Sequence, residues 1–196
     1  MNIYKDIFQA LICDPRYLKN LDWGKPRKGH PEGSVRHHID ELEQNLAVWQ
    51  SSLEENSYWK LKILIHVHDS FKAESQKGVP ISDPHSHASL ARQFLEDHCQ
   101  DHDLLQMIQL HDEPYALWRQ NQSKGQVNQQ RVRHLMASVA DWDVFLKFLF
   151  IDGTTAGKDA EPLDWVVQTL APLRGLKAQA QRDLSRLREA RMCRPA

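Results

Sequence analysis

The chain is poor in the residues that announce several whole classes of protein. Its 196 residues include only 3 cysteines, Cys13, Cys99 and Cys193, too few and too scattered for a disulfide framework or a cysteine-based zinc motif. Net charge is nearly absent as well. Lysine and arginine total 25 against 26 aspartates and glutamates, so no global field points to nucleic acid. Long apolar runs are missing: the most apolar stretch, Val144–Ile151, is short and carries Lys147, and no membrane span is expected. No N-terminal signal segment is visible, which together with the cysteine usage leads to the expectation of a cytoplasmic protein. Nothing alternates with period two over the length of a strand, and there are no repeats or low-complexity segments.

What remains is helical periodicity almost throughout. It predicts helices over about 4–12, 34–53, 58–72, 85–98, 102–112, 127–151 and 160–190, with a Gly- and Pro-rich loop over 22–33. Ser34 stands as an N-cap, and Tyr58–Lys72, apolar nearly all round, reads as a central buried helix. The expected fold is an all-α, single-domain helical bundle spanning residues 1–196. Charge is uneven along it. Between Arg174 and Arg194 seven basic residues face two acidic ones, so the region 160–196 is expected to end in a basic helix, read first as a solvated face.

One residue type is in excess: 11 histidines. Residues three, four and seven apart share a helix face. By that rule His38 lies with Val35 and Leu42, His68 with Leu61, Leu64 and Ile65, His87 with Leu90, Ala91 and Phe94, and His111 with Leu104, Met107 and Ile108. Four imidazoles, one per helix, thus sit on apolar stripes, while His37, His66 and His85 beside them point elsewhere. His30 is assigned to shaping the loop, and His98 and His102 to an acidic exposed segment. An inward histidine is ordinarily a satisfied core residue. Burying four without partners would be costly, and convergence on a shared ion removes that cost. Asp69, next to His68, and Asp141, in the small-residue stretch Ala137–Asp141, are the carboxylates that complete the set, with Asp143 as the competing acid and His134 as a supporting residue. Imidazole with carboxylate suits divalent first-row metals, Mn, Fe, Co, Ni or Zn, with Mg also admissible.

These residues, taken in order, resemble the H…HD…D signature of the HD superfamily of metal-dependent phosphohydrolases. The stretch His30-Pro31-Glu32-Gly33-Ser34-Val35-Arg36-His37-His38 is similar to the HPEGxVxxH segment of HD domains attached to some tRNA nucleotidyltransferases, and puts the ligand at His38 rather than His37. His68-Asp69-Ser70-Phe71-Lys72 resembles the family's HDxGK with Phe71 in place of Gly, and Val139-Ala140-Asp141 resembles its closing AD. His87 and His111 fall where binuclear branches carry two further histidines, although the spacing from Asp69 to His87 is short. The resemblance covers roughly residues 30 to 145 and leaves the stretch 152–163 unassigned.

The resemblance implies one or two divalent ions held by His38, His68, Asp69, His87, His111 and Asp141, with Asp69 bridging where there are two. It implies hydrolysis of a nucleotide or another small phosphate ester, mono- or diester, by metal-activated water. The charge that develops on phosphorus needs cationic donors. Lys72, one turn after His68, is the first candidate and is grouped with Asp69 as catalytic; Lys158 and Arg36 are further substrate-binding candidates. Nucleic acid is the less favoured partner. A di-iron oxygenase acting on a small organic substrate and a non-catalytic ligand-binding HD protein are the alternative readings.

Overall fold

The structure, a computed structural model, describes residues 2–29 and 31–193; His30, which opens the HPEG segment, and Arg194, the last basic residue of the tail, lie outside the described residues. The chain is all-α, with no strand among the described residues. Helices α1 (Ile3–Cys13), α2 (Pro15–Leu18), α3 (Val35–Leu46), α4 (Glu55–Val67), α5 (His87–Glu96) and α6 (His102–Leu110) come first. Then follow α7 (Glu113–Lys124), α8 (Gln129–Ser138), α9 (Trp142–Gly153), the short α10 (Glu161–Trp165) and α11 (Lys177–Met192).

Side-chain caps set most of the boundaries. Ser34 accepts from the His37 amide, Ser86 from Ser89, Asp101 from Asp103 and Leu104, and Asn128 from Gln130 and Arg131. Each such cap is worth about 1 kcal/mol. The centre of the molecule is α4, packed against α1, α3, α6 and α9. Leu61, Ile63, Leu64, Ile65 and Val67 are fully buried, as its all-round apolarity requires. Around it a single continuous core runs from Phe8 to Leu187.

Several boundaries differ from the periodicity: the expected helix 34–53 ends at Leu46, and the expected 160–190 is divided into α10 and α11, with Gly175 at φ +71° between them. The segment 113–124 forms α7, which the sequence reading passed over: Pro114 sits in its first turn, where a missing N–H is harmless, and Gly125 closes it at φ +66°. The expected helix 127–151 is two helices, broken at Val139–Asp141. There Asp103 accepts the Ala140 amide at 2.6 Å and the Asp141 amide at 2.9 Å, holding the chain out of helical geometry. The expected helix 58–72 stops at Val67, and residues 68–75 continue as tight turns.

Three arginines of the basic C-terminal segment reach back to the body. Arg174 donates to the carbonyls of Met136 and Val139, Arg186 to Val48, and Arg188 pairs with Asp164 at 2.8 Å. Buried Lys147 of α9 pairs with Asp183 at 3.3 Å and with Asp143. Arg174, Lys177, Arg182 and Arg186 remain exposed, in keeping with the solvated face read from the charge run. No helix among the described residues is long and apolar enough to cross a membrane.

Candidate metal centre

Five of the six expected donors converge between the ends of four helices and α9. His38 lies in the first turns of α3, and His87 opens α5 directly after the Ser86 cap. His68 and His111 both close helices, as the C-caps of α4 and α6. A helix end leaves its last carbonyls without intrahelical donors, and the two imidazoles take them up. His68 Nδ1 donates to Leu64 and Ile65, each at 3.1 Å, and His111 Nδ1 donates to Ile108 at 2.7 Å. These bonds fix the tautomer, so each Nε2 lone pair faces the interior. The His68 Nε2 is buried and makes no hydrogen bond, an orphaned donor atom of the kind a metal ion satisfies.

The donors form two groups. His38, His68 and Asp152 make one; Asp69, His87 and His111 make the other; within each group the three atoms lie within 4.8 Å of one another. Asp69 stands between them. Its Oδ2 faces His68 Nε2 at 3.4 Å and His38 Nε2 at 4.0 Å, while its Oδ1 faces His111 at 3.7 Å and His87 at 3.8 Å. In the first group His38 Nε2 is 3.1 Å and His68 Nε2 3.8 Å from Asp152 Oδ1. Nitrogen and oxygen donors bound at about 2.0–2.2 Å to one ion stand about 3–3.5 Å apart, so these groups need little adjustment to hold a cation. The buried His/Asp groups are positioned to hold a metal ion.

Asp141 is not among them. It is the N-cap of α9, its carboxylate accepting from the Val144 amide at 3.1 Å. The carboxylate beside His38 and His68 comes from the other end of that helix, Asp152, about 16 Å away at 1.5 Å per residue. Asp152 lay inside the stretch 152–163 that the resemblance left unassigned. Buried Asn45 holds it in place, donating to the Ile151 carbonyl at 2.8 Å and to Thr154 Oγ1 at 3.3 Å. The following loop is tied to α3 by the Ala156 amide on Glu41 at 3.0 Å. Its Gly157, at φ +76°, rests against Pro31, whose Cδ a Cβ there would meet at 3.0 Å.

Two further carboxylates were not singled out as donors. Asp112 Oδ2 lies 3.2 Å from His87 Nε2 and 3.8 Å from His111 Nε2, at the open side of the second group. Glu32 Oε1 lies 3.3 Å from His38 Nδ1, a carboxylate behind an imidazole that orients the ring and strengthens its far nitrogen as a donor.

Among the expected cationic residues, Lys72 pairs with Asp69 and Lys158 pairs with Asp152 at 2.7 Å. Both line a cleft of about 380 Å³ that opens onto the two groups. Arg36 does not reach it. Its guanidinium pairs with exposed Asp22 at 2.9 Å, which ties α3 to the preceding loop. Phe71, in place of the glycine of the resembled motif, is a core residue stacked 4.9 Å from Phe94. Of the remaining histidines, His37, His85, His102 and His134 are exposed. His98 pairs with Asp14, and His66 bridges Tyr17 and Glu43 at 2.7 and 2.8 Å.

No protein-family model, curated protein or solved structure matches this chain. Its chemistry therefore rests on the site itself.

Burial and neighbouring charges act in opposite directions on these groups. Burial disfavours a charged His38, yet Asp152 and Glu32 raise its pKa to about 9. Burial likewise opposes charge on His111, and Asp112 and Asp69 still raise it to about 9. His68 is lowered by burial. Burial would raise Asp69, but the charges of Lys72 and His68 hold it well below the usual carboxylate range. Asp152 is depressed against burial by Lys158 and His38. Protonated His38 donates from both nitrogens, to Glu32 and to Asp152. A cation between Nε2 and Asp152 would stand where that proton stands.

Proposed function

We propose that the protein is a metal-dependent phosphohydrolase of HD type, acting on a small phosphate ester. The observation that carries the reading is the placement of Asp69, whose two oxygens face two separate histidine pairs while Lys72 holds it from the cleft side. One carboxylate shared between two three-donor groups is the arrangement of a two-metal hydrolytic centre. Bound divalent ions would polarise a phosphoryl oxygen and lower the pKa of water to near neutrality.

The protein's own residues supply the rest. The cleft lining carries Lys28, Lys72 and Lys158 against Asp69, Asp112, Asp152 and Asp159, a small excess of negative charge. Divalent cations reverse that sign, so the site favours an anion once the donors are occupied. Lys72 and Lys158, freed from sole service to Asp69 and Asp152, then stand where charge develops on the equatorial phosphoryl oxygens. His68 and His111 cannot turn away, because the helix-end carbonyls hold their Nδ1 atoms. The same donors suit di-iron oxygen chemistry, but the three lysines around the cleft favour the phosphate reading.

The test is metal analysis of the purified protein, combined with a screen of phosphate esters under several divalent ions. The proposal expects hydrolysis that a chelator abolishes and a divalent ion restores. Iron-dependent oxygen uptake with no phosphate released from any ester would overturn it.

A further inference from the structure

The cleft beside the cluster has two chemically distinct walls. One is fully charged: the donor carboxylates, Lys28, Lys72 and Lys158. The other is aliphatic, made of Leu149, Pro162, Leu163 and Val166, with the half-exposed Tyr115 ring at the rim. Leu149 lies one turn before Asp152 on the same face of α9, so the apolar wall begins where the donors end. The wall is fixed rather than adaptable. Leu163 packs onto Gly153, where an added Cβ would meet its Cδ2 at 2.8 Å.

Among the described residues the lining contains no serine, threonine, asparagine or glutamine. Its polar side chains are the lysines, the aspartates, the imidazoles of His68 and His111, and the Tyr115 hydroxyl, while Leu149, Pro162, Leu163 and Val166 offer no polar side-chain group. Seated against those aliphatic side chains, the hydroxyls of a sugar would face no partner, and each one buried in that way costs binding. An alkyl or aryl group brings none, and each buried methylene tightens binding by about fourfold. At about 380 Å³ the cleft is at the small end of ligand pockets.

We propose that the substrate is a small phosphate monoester whose alcohol part is apolar, alkyl or aryl, seated against Leu149, Leu163 and Val166 with its phosphoryl group at the donor cluster. This rests on the phosphohydrolase reading, and the test keeps the two apart. Binding of hexylphosphonate, methylphosphonate and a polyhydroxylated phosphonate of six carbons is measured by calorimetry on the metal-loaded protein. Hydrolysis of hexyl phosphate and glucose 6-phosphate is measured in parallel. Hexylphosphonate is expected to bind at least about tenfold more tightly than either of the other two. Hexyl phosphate is expected to have a kcat/KM at least about tenfold above glucose 6-phosphate.

Val166→Thr keeps the shape of the wall and adds a hydroxyl. It should reduce the preference for hexylphosphonate several-fold while leaving methylphosphonate binding unchanged. Leu163→Ala, checked for folding by its thermal melt, should do the same. Equal binding of the hexyl and polyhydroxylated phosphonates overturns the substrate class, whether or not esters are cleaved. Selective hexylphosphonate binding without cleavage of any ester supports the apolar subsite and overturns the hydrolase reading. Failure of all three phosphonates to bind overturns the apolar subsite, and overturns the hydrolase reading as well when no ester is cleaved.

Discussion

The inner group of His38, His68 and Asp152 and the outer group of Asp69, His87 and His111 use the same kinds of donor but are held differently. In the inner group every donor has a second partner: Glu32 behind His38, two helix-end carbonyls behind His68, and Lys158 on Asp152. Both its imidazoles are almost fully enclosed, with side chains 4% and 2% exposed. In the outer group His111 is held by the Ile108 carbonyl and Asp69 by Lys72, and the difference lies at His87. His87 is 20% exposed, its ring faces His111, Asp69 and Asp112, and Asp112 itself is half-exposed at 51%. Preorganised donors bind more tightly than donors that must be gathered. On the proposed two-metal reading, the inner group would hold the more tightly bound ion and the outer group, through His87, the more weakly bound one.

Removing what the two groups share has the largest expected effect. Asp69→Asn should lower hydrolysis by at least about 10³-fold and weaken metal binding at both groups, read by activity and by metal content. Next, His87→Ala should remove about one equivalent of metal and leave the inner one, whereas His68→Ala should remove the tightly held ion. Equal losses from the two would erase the distinction between the groups. A smaller effect is expected from Glu32→Gln, about 10- to 100-fold in affinity for the inner ion, measured by competition with a chelator.

A pH series sharpens the same contrast. In the metal-free protein His38 and His111 have pKa values raised to about 9, above the ordinary 6.5. Their contribution to stability is therefore fully present below pH 6.5 and lost as pH rises through 9. Metal binding runs the other way, because each proton must leave before a cation can bind, and affinity rises up to about tenfold per pH unit for each proton released. Thermal melts between pH 6 and 9.5 should fall with pH in chelator and hold or rise with pH in divalent metal. Parallel curves would show that neither histidine exchanges its proton for the ion.

Much of this was legible in the sequence. The all-α fold followed from periodicity, and the four inward histidines followed from helix faces alone. Asp152 obeys the same rule: Phe145, Phe148 and Leu149 are seven, four and three residues before it, so it too lies on an apolar stripe. It was passed over because the carboxylate was sought by motif, and Ala140-Asp141 offered one. Asp141 in turn owes its position to the break made by Asp103, whose carboxylate is 37 residues away along the chain. Periodicity has no access to a contact of that range. The helix-end carbonyls that fix His68 and His111 were equally invisible, because they required the true ends of α4 and α6.

The two ends of α9 give the most direct measurement of the central claim. Metal content per chain is determined after dialysis for the wild type, Asp152→Ala and Asp141→Ala. The account predicts that Asp152→Ala loses the tightly bound ion. Asp141→Ala, which removes only a helix cap, should keep the full complement and lose about 1 kcal/mol of stability. Loss of metal in Asp141→Ala with retention in Asp152→Ala would contradict the assignment.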